Sequence, residues 1–194
     1  MVTKPLAALL AALGATQAAA GEKIDVAKWA AALPPHFAVH GVKTEPTYEE
    51  AIDISRDGDV VTVVGGAPGW AARATESLSV SASGALSRRP CAAGADCAVA
   101  AAPSGFLATA ALISASLRGE LRGVAAEAPY GARRIICLPA EMIGVARPIL
   151  DPCFDSENGA VLAQRHRLSG RFDGPSLEPT SIRIDEVKYH RPTG

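Results

Sequence analysis

The sequence predicts an α+β fold, a twisted antiparallel β-sheet curled around one main helix. Short runs that alternate between apolar and polar residues, such as 76–86, indicate strands with one buried face. One long stretch, 103–122, repeats its apolar residues with helical spacing. Residues 133–168 combine a strand with a cysteine-bearing hairpin, and we expect the other strands to add to this unit.

Residues 1–20 have the features of a secretory signal peptide. Lys4 supplies a basic start, a short apolar run follows, and three alanines ending at Ala20 precede Gly21, as in a cleavage site. The apolar run is too short to cross a hydrocarbon core of ~30 Å, so an uncleaved membrane anchor is the weaker alternative. We expect cleavage near Ala20/Gly21, a soluble periplasmic or secreted product, and a single exported α+β domain over 21–194.

The charge balance argues against two classes of partner. Without Lys4, the 19 basic residues become 18 against 20 acidic residues, a net charge of −2. Proteins that bind nucleic acids or anionic membranes carry a basic excess, which this chain lacks. No later run approaches the roughly 18 apolar residues of a membrane helix, so no transmembrane span is predicted.

The first element after the predicted cleavage point is a short helix over 24–33. Asp25 can cap its start, and Trp29 lies on the face that we expect to be buried. His36 and His40 follow at the i, i+4 spacing that suits metal ligands only on a helix. Alternating apolar residues between them predict a strand instead, in which they would stand about 13 Å apart. We therefore expect two solvated histidines and no metal site.

Two strands and a turn are predicted next. The sequence predicts a hairpin of two strands, Tyr48–Ile54 and Val60–Val64, since the second run is β-branched throughout. The glycine-rich stretch that follows lacks the spacing of phosphate-binding loops. Trp70, at its end, is expected to pack at the core or rim first and to contact a ligand second. Glu76–Leu86 is predicted to form one half-buried strand, with Leu78 and Val80 inward and its serines toward water.

The main helix is predicted over Ser104–Arg122. Ser104 can cap its start, and Gly123 is a natural terminator. The helix carries one apolar stripe with 4-3-4-4 spacing: Phe106, Ala110, Ile113, Leu117 and Leu121. The opposite face holds small residues and hydroxyls instead of charges, so we expect it to be partly covered too.

The hairpin unit carries two of the four cysteines. A strand ends at Cys137, and a connector leads to an arm that bears Cys153 and to a turn at Asn158-Gly159. Asn-Gly tolerates both positive φ angles of a type I′ turn, so the sequence predicts a two-residue hairpin loop.

In an exported chain, four cysteines predict two disulfides, which allow three pairings. Closeness in sequence favours Cys91–Cys97 and Cys137–Cys153. Because the sequence has no CxxC or CxxCH motif, we expect no metal site, thioredoxin-type site or haem, and no other cofactor.

Carboxylates offer the remaining catalytic hypothesis. Asp151, Asp155 and Glu157 cluster around the hairpin, and paired carboxylates can serve glycoside hydrolysis. Acidic clusters beside turns are more often solvated edges or caps, so we expect no catalytic residue. In the last strand, 177–189, the apolar parity slips at Asp185-Glu186, which predicts a β-bulge.

Residues 153–170 resemble bacterial envelope proteins of the lipoprotein-carrier (LolA/LolB-like) superfamily. Some of these have a strand written roughly as Cys-Phe-Asp-x-x-x-Gly-x-x-Leu, which begins here at Cys153. The resemblance implies a half-barrel whose helices cover a hydrophobic cavity for lipid or acyl chains, with the 103–122 helix as a lid. The residues then expected to line the cavity are Trp70, Phe106, Ala110, Ile113 and Leu117.

The sequence thus leads to three functional hypotheses. The first is an exported envelope protein that binds or carries an apolar ligand, a lipid or acyl chain, without catalysis. The second is a structural or protein-interaction envelope protein with a filled core. The third is a hydrolase that uses the hairpin carboxylates. A space between sheet and helix that could hold an apolar chain would separate the first hypothesis from the second.

Overall fold

The computed structural model describes residues 22–44, 49–66, 74–145, 150–166 and 181–188. It confirms a mostly antiparallel β-sheet protein with one main helix. Within these described residues the strands form two open sheets, where the sequence predicts one. The predicted signal peptide and Trp70 lie outside the described residues.

The strands are β1 (Lys23–Asp25), β2 (His36–Thr44), β3 (Glu49–Asp57), β4 (Val60–Gly66), β5 (Ala74–Val80), β6 (Leu86–Arg89), β7 (Val124–Tyr130), β8 (Arg133–Cys137), β9 (Leu150–Asp155), β10 (Val161–His166) and β11 (Ser181–Lys188). The α-helices are α1 (Val26–Ala31) and α2 (Ala108–Leu117). A 3₁₀ turn over Gly105–Leu107 leads into α2, and a second covers Ala140–Ile143.

The two sheets differ in how far their strands lie from one another in the chain. Of the described strands, five form one sheet in the order β1-β7-β8-β9-β10, and six form the other in the order β11-β2-β3-β4-β5-β6. In the six-stranded sheet, β2 to β6 form a meander in which each strand pairs with the next. The long-range pairings lie at its other edge, where β11 joins β2, and in the five-stranded sheet, where β1 joins β7.

The sheets pack face to face over part of their area. Apolar side chains of β8 to β10, among them Ile135 and Leu162, meet those of β2 and β3, among them Phe37 and Ile54. All four are almost completely buried. This contact removes one apolar face of each sheet from water, which stabilises the fold.

Helix α2 fills the space beside this contact and is buried on both sides. Leu112 packs with α1 and the outer face of the five-stranded sheet, where Phe154 lies. Ala110 and Ile113 pack instead against β4, β5 and β6. Every residue from 108 to 115 is buried. The expectation that the second face of the helix is covered is therefore confirmed.

Within the described residues β10 is the last strand of its sheet, and α2 covers part of its edge. The Val161 N–H of β10 donates a hydrogen bond of 3.2 Å to the Thr109 hydroxyl of α2. An edge strand with free backbone groups invites pairing with another chain. Thr109 satisfies one of those groups and fixes α2 against β10.

Several local predictions are confirmed. The Lys28 N–H donates to Asp25 Oδ1 at 3.0 Å, so Asp25 caps α1 as expected. β3 and β4 form the predicted hairpin, with Gly58 at φ +60° in its turn. In β11 the pairing register shifts between Ile184 and Glu186, where the bulge was predicted.

The predicted extent of the main helix is wrong. The α-helix ends at Leu117, and Gly119, at φ +65°, turns the chain before Gly123 is reached. Leu117 consequently lies at the last turn and is 51% exposed, whereas the stripe placed it inside. Ser104 makes no capping hydrogen bond, because a 3₁₀ turn precedes the helix.

The predicted strand 76–86 ends early, at Val80. The chain turns through Ser81–Ala85, where the Ser81 N–H donates to the Ala85 carbonyl at 2.9 Å. Gly84 is required in this turn, since a Cβ there would meet the Ser114 carbonyl at 2.8 Å. Ser79 does not face water: it is buried and hydrogen-bonds the Ser87 hydroxyl of β6 at 2.6 Å.

The hairpin between β9 and β10 exists, but its loop is not a two-residue type I′ turn. Ser156 to Gly159 form the loop, and the Gly159 N–H donates to the Asp155 carbonyl at 2.8 Å. The Asn158 side chain holds the turn, because its Oδ1 accepts from the Ala160 N–H at 2.9 Å. A longer loop of this kind ends in one residue with positive φ, here Gly159 at +79°.

Ala110→Phe is expected to lower the free energy of unfolding by about 1–3 kcal/mol, since Ala110 is fully buried against β4 to β6 and a larger ring overpacks that space. Urea unfolding of the variant and the wild type measures the change. Ala31→Phe, at an exposed position of α1, is the matched control and should change stability by less than about 0.5 kcal/mol. An unchanged midpoint for Ala110→Phe would mean that Ala110 borders an open space.

Candidate ligand groove

An open groove of about 470 Å³ lies between the β5–β6 edge of the six-stranded sheet and the segment 99–107, which leads into α2. Its lining comes from three separate parts of the chain: Thr75, Glu76, Ser77, Leu78, Arg88, Arg89, Pro90, Val99, Ala101, Pro103 and Leu107. The volume falls within the range of small-molecule sites, which is roughly 300–1,000 Å³. We refer to it as the β6 groove.

The floor of the β6 groove is apolar because it is the outer margin of the core beneath α2. Leu78 belongs to that core, and Val99 and Leu107 pack against it while remaining partly accessible. Such a floor can receive an apolar chain without opening the core. The floor lies next to the start of α2, one helical turn before Ala110.

Charged side chains form the rim. Arg88 pairs in register with Leu78, so both side chains project from the same face of the sheet. Arg89, on the opposite face, approaches Asp59 only to 4.0 Å, and both side chains are more than half exposed. Such a pair contributes little. Among the described lining residues, Glu76 supplies the one carboxylate.

The second wall of the groove is held by a disulfide loop. Cys91 and Cys97 are bonded, with their Cα atoms 5.9 Å apart. The Arg88 N–H donates to the Cys97 carbonyl at 2.8 Å, and the Val99 N–H donates to the Leu86 carbonyl at 2.9 Å. These bonds attach the loop to the free edge of β6 and place Val99 beside the floor.

The other predicted disulfide is present as well. Cys137 of β8 and Cys153 of β9 face one another in register and are bonded. Both predicted pairings are thus confirmed, and no cysteine within the described residues is free. The two bonds fit an oxidising compartment.

A second groove, of about 380 Å³, lies between β7 and the segment that follows β8. Its charged lining residues are already engaged: Glu127 pairs with Arg134, and Arg165 Nη2 lies 3.1 Å from Asp151 Oδ2. The rest of its lining is largely alanine and larger apolar residues. This groove therefore offers apolar surface without an available charge.

The residues predicted to line a cavity do not meet at one place. Phe106 is half-buried between the two cores that flank the five-stranded sheet. Ala110 and Ile113 are buried against the six-stranded sheet, and Leu117 is mostly exposed at the end of α2. Trp70 lies outside the described residues. Their role in ligand binding stays a prediction.

The sequence offered one signal for the β6 groove that the prediction did not use. Arg88 and Arg89 stand directly before Pro90 and Cys91, next to a strand that ends there. Two adjacent cations beside a disulfide loop at a sheet edge can mark a charged rim. The apolar floor had no such signal, because Leu78, Val99 and Leu107 belong to three unrelated local patterns.

The hairpin carboxylates have structural partners. Asp155 is fully buried and accepts hydrogen bonds from Arg133 Nη2 at 2.6 Å, the Glu157 N–H at 3.0 Å and Asn158 Nδ2 at 3.1 Å. Burial raises the pKa of the Asp155 carboxyl, while the Glu157 N–H and Arg133 oppose that rise. The expectation of solvated edge carboxylates is wrong for Asp155, because this buried side chain accepts hydrogen bonds from residues of the loop.

Asp151, at the other end of β9, also has structural hydrogen-bond partners. Its Oδ1 accepts from the Ala140 N–H at 3.1 Å, which fixes the second 3₁₀ turn, and its Oδ2 faces Arg165. Glu157 lies 2.9 Å from Arg133 Nη2. A hydrolase would need one of these carboxylates beside a substrate space, and neither groove is lined by any of them.

The histidines lie on a strand, as predicted, but they are not simply solvated. His36 Nδ1 lies 2.8 Å from Asp57 Oδ1, and His40 Nδ1 lies 2.6 Å from Asp53 Oδ1. Each pair joins residues opposite one another in β2 and β3. Among the described residues, no group of three or more histidine, cysteine or acidic side chains could hold a metal ion.

The motif that carries the resemblance consists of buried structural residues. Cys153, Phe154, Asp155 and Leu162 are fully buried in the hairpin. Two features favour glycine at position 159: its φ of +79° is a conformation that other residues rarely adopt, and a Cβ there would lie 2.6 Å from Leu33 Cδ1. The motif therefore specifies how the hairpin folds.

No helix in the part of the chain described here is long and apolar enough to span a membrane. Comparisons of the chain with protein-family models, with curated proteins and with solved structures gave no significant match.

Proposed function

We propose that this protein binds or carries an apolar ligand, a lipid or acyl chain, in the β6 groove and performs no catalysis. The observation that carries the proposal is the groove itself, an open space of about 470 Å³ whose floor is made by Leu78, Val99 and Leu107. Binding sites for small molecules combine this kind of apolar concavity with a few polar groups. The ligand chain would lie along the floor beside the start of α2.

The proposal includes export to the periplasm or outside the cell. It rests on the signal-peptide features of residues 1–20 and on the two disulfides, which favour an oxidising compartment. The lipoprotein-carrier resemblance at 153–170 supports the same ligand class and an envelope location. The half-barrel shape and a contact of Trp70 with the ligand remain expectations from that resemblance.

Ala101→Trp is expected to abolish binding of a fluorescent fatty acid while leaving the unfolding midpoint unchanged. Ala101 lines the β6 groove and is exposed, so an indole fills the space without entering the core. Exposed substitutions usually change stability by less than about 0.5 kcal/mol. Titration of the probe below its micellar concentration, together with urea unfolding, measures both quantities.

The control is Ala126→Trp, which places the same ring in the second groove. Loss of binding in Ala126→Trp alone would move the ligand to the second groove and contradict the proposed site. A wild-type protein that binds neither the probe nor unlabelled fatty acids would reject the proposed function.

A structural or interaction role in the envelope is the second candidate. It is favoured by the burial of Ala110 and Ile113, which makes the core between α2 and the six-stranded sheet a filled one. Under this hypothesis the β6 groove is a surface feature and the wild-type protein takes up no probe. The same titration therefore decides between the two candidates.

A further inference from the structure

The β6 groove has an apolar floor and a cation that is not otherwise used. In the part of the chain that the structure describes, Arg88 has no carboxylate within ion-pair distance, whereas Arg118, Arg133, Arg134 and Arg165 each pair with one. Arg88 is exposed at the rim and shares its sheet face with Leu78 of the floor. A ligand chain on that floor would therefore bring its polar end to the guanidinium.

We propose that the ligand of the β6 groove is an anionic amphiphile, whose apolar chain lies on the floor and whose carboxylate or phosphate is bound by Arg88. This inference rests on the proposed function and adds the chemistry of the ligand head. A guanidinium presents its N–H donors in a planar fork that matches both acids. Binding is non-covalent, and no bond is made or broken.

Among the described residues, the charged side chains that line the groove are two arginines and one carboxylate: Arg88, Arg89 and Glu76. Arg89 lies on the opposite face of the sheet, 4.0 Å from Asp59, so Arg88 is the cation that shares a face with the floor. Glu76 lies two residues from Leu78 on β5 and therefore projects from the same face as Arg88. It reduces the local positive potential without forming an ion pair with Arg88. Glu76→Gln should consequently strengthen the binding of an acid.

An acidic head group on the ligand also explains how an open groove can bind it. The chain end of the ligand needs the apolar floor, but its acid stays near water at the rim, where Arg88 can reach it without a buried charge. Burial of an unpaired ion would cost far more than an exposed pair contributes. A groove with one apolar wall and one cationic rim fits an amphiphile better than a wholly apolar molecule.

The test compares ligands that share a chain and differ in the head: dodecanoic acid, dodecyl phosphate, dodecanol and dodecyltrimethylammonium. Each displaces the fluorescent fatty acid from the full-length protein below its micellar concentration. We expect the two acids to bind the wild type about two- to fivefold more tightly than the alcohol, the range of exposed charge interactions, and the ammonium compound to bind most weakly. The stronger of the two acids identifies the head as carboxylate or phosphate.

The variants are Arg88→Gln, Glu76→Gln and, as a control of equal charge change, Arg122→Gln outside the groove. Arg88→Gln should remove the preference for acids and leave the affinity for dodecanol unchanged. Glu76→Gln should raise the affinity for acids about two- to fivefold, the range of exposed charge interactions. Arg122→Gln should behave as the wild type.

The outcomes separate the inference from the proposed function. Equal binding of acid and alcohol, with both abolished by Ala101→Trp, would overturn the anionic head and leave the apolar groove intact. An acid preference that survives Arg88→Gln would overturn the role of Arg88. If the wild-type protein binds neither the probe nor any of these four ligands, the proposed function is rejected, and the inference with it.

Discussion

Phe154→Ala is expected to lower the free energy of unfolding by about 3–5 kcal/mol, the largest single effect that the fold predicts. Phe154 is fully buried on the outer face of β9, and its ring lies 6.2 Å from that of Trp29 in α1. Residues of α1, α2 and β8 surround it. Truncation removes the buried ring and leaves a cavity in the middle of this cluster.

The surrounding structure has little freedom to close that cavity. β9 is paired on both sides, with β8 and β10, and it is tied to β8 by the Cys137–Cys153 disulfide. The cost therefore includes most of the cavity energy as well as the lost transfer energy. Leu117→Ala is the matched control, since Leu117 is 51% exposed and its truncation should cost less than about 0.5 kcal/mol.

Urea unfolding at one pH measures both variants. A loss below about 1 kcal/mol for Phe154→Ala would contradict the packing of α1 and α2 on the five-stranded sheet. An equally large loss for Leu117→Ala would mean that α2 continues as a buried helix, as its sequence stripe predicts.

Removal of the Cys137–Cys153 disulfide is expected to cost about 3 kcal/mol in the chain-entropy account. The bond closes a segment with a sequence separation of 16 residues between neighbouring strands. Without the bond, the unfolded chain has more accessible conformations, and its higher entropy lowers the free energy of unfolding. Alanine is the suitable replacement because Cys153 is fully buried and a hydroxyl there would lack a partner.

The double variant Cys91→Ala, Cys97→Ala is the internal comparison. That bond closes a shorter segment, with a sequence separation of 6, so its loss should cost less, about 2 kcal/mol. Urea unfolding of both double variants under non-reducing conditions gives the order. A larger loss for the Cys91–Cys97 pair would show that the loop at β6 stabilises the fold more than the β8–β9 link does.

The local elements could be predicted from the sequence because their signals are local. The Asp25 cap, the β-branched run at Val60 and the parity slip at Glu186 each depend on a few neighbouring residues. The two disulfides followed from short separations. The Asp25 side chain and the Lys28 N–H that it accepts from lie within one helical turn, and β3 and β4 lie within one hairpin.

The division into two sheets could not be predicted in this way. Alternation along a strand says which side chains are buried, but it does not say which strand lies alongside. β1 pairs with β7, and β11 pairs with β2, across long stretches of chain. These choices depend on the packing of both sheets around α2.

The apolar stripe of α2 predicts the wrong end of the helix. Its spacing continues to Leu121, but the helix ends at Leu117, which is 51% exposed. The opposite face, made of alanines and hydroxyls, is covered as expected. Small side chains allow close approach, so Ala111 and Thr109 are as deeply buried as Ala110. The β6 groove was hidden because its floor is assembled from Leu78, Val99 and Leu107, which share no pattern.

Methyl-selective NMR of the protein, titrated with dodecanoic acid, shows whether an acyl chain binds on the floor of the β6 groove. We expect the methyl resonances of Leu78, Val99 and Leu107 to shift, because these side chains line the groove. Methyl groups of Leu138 and Val124, in the second groove, should stay unchanged. Shifts confined to the second groove, or no shifts below the micellar concentration, would mean that no acyl chain binds in the β6 groove.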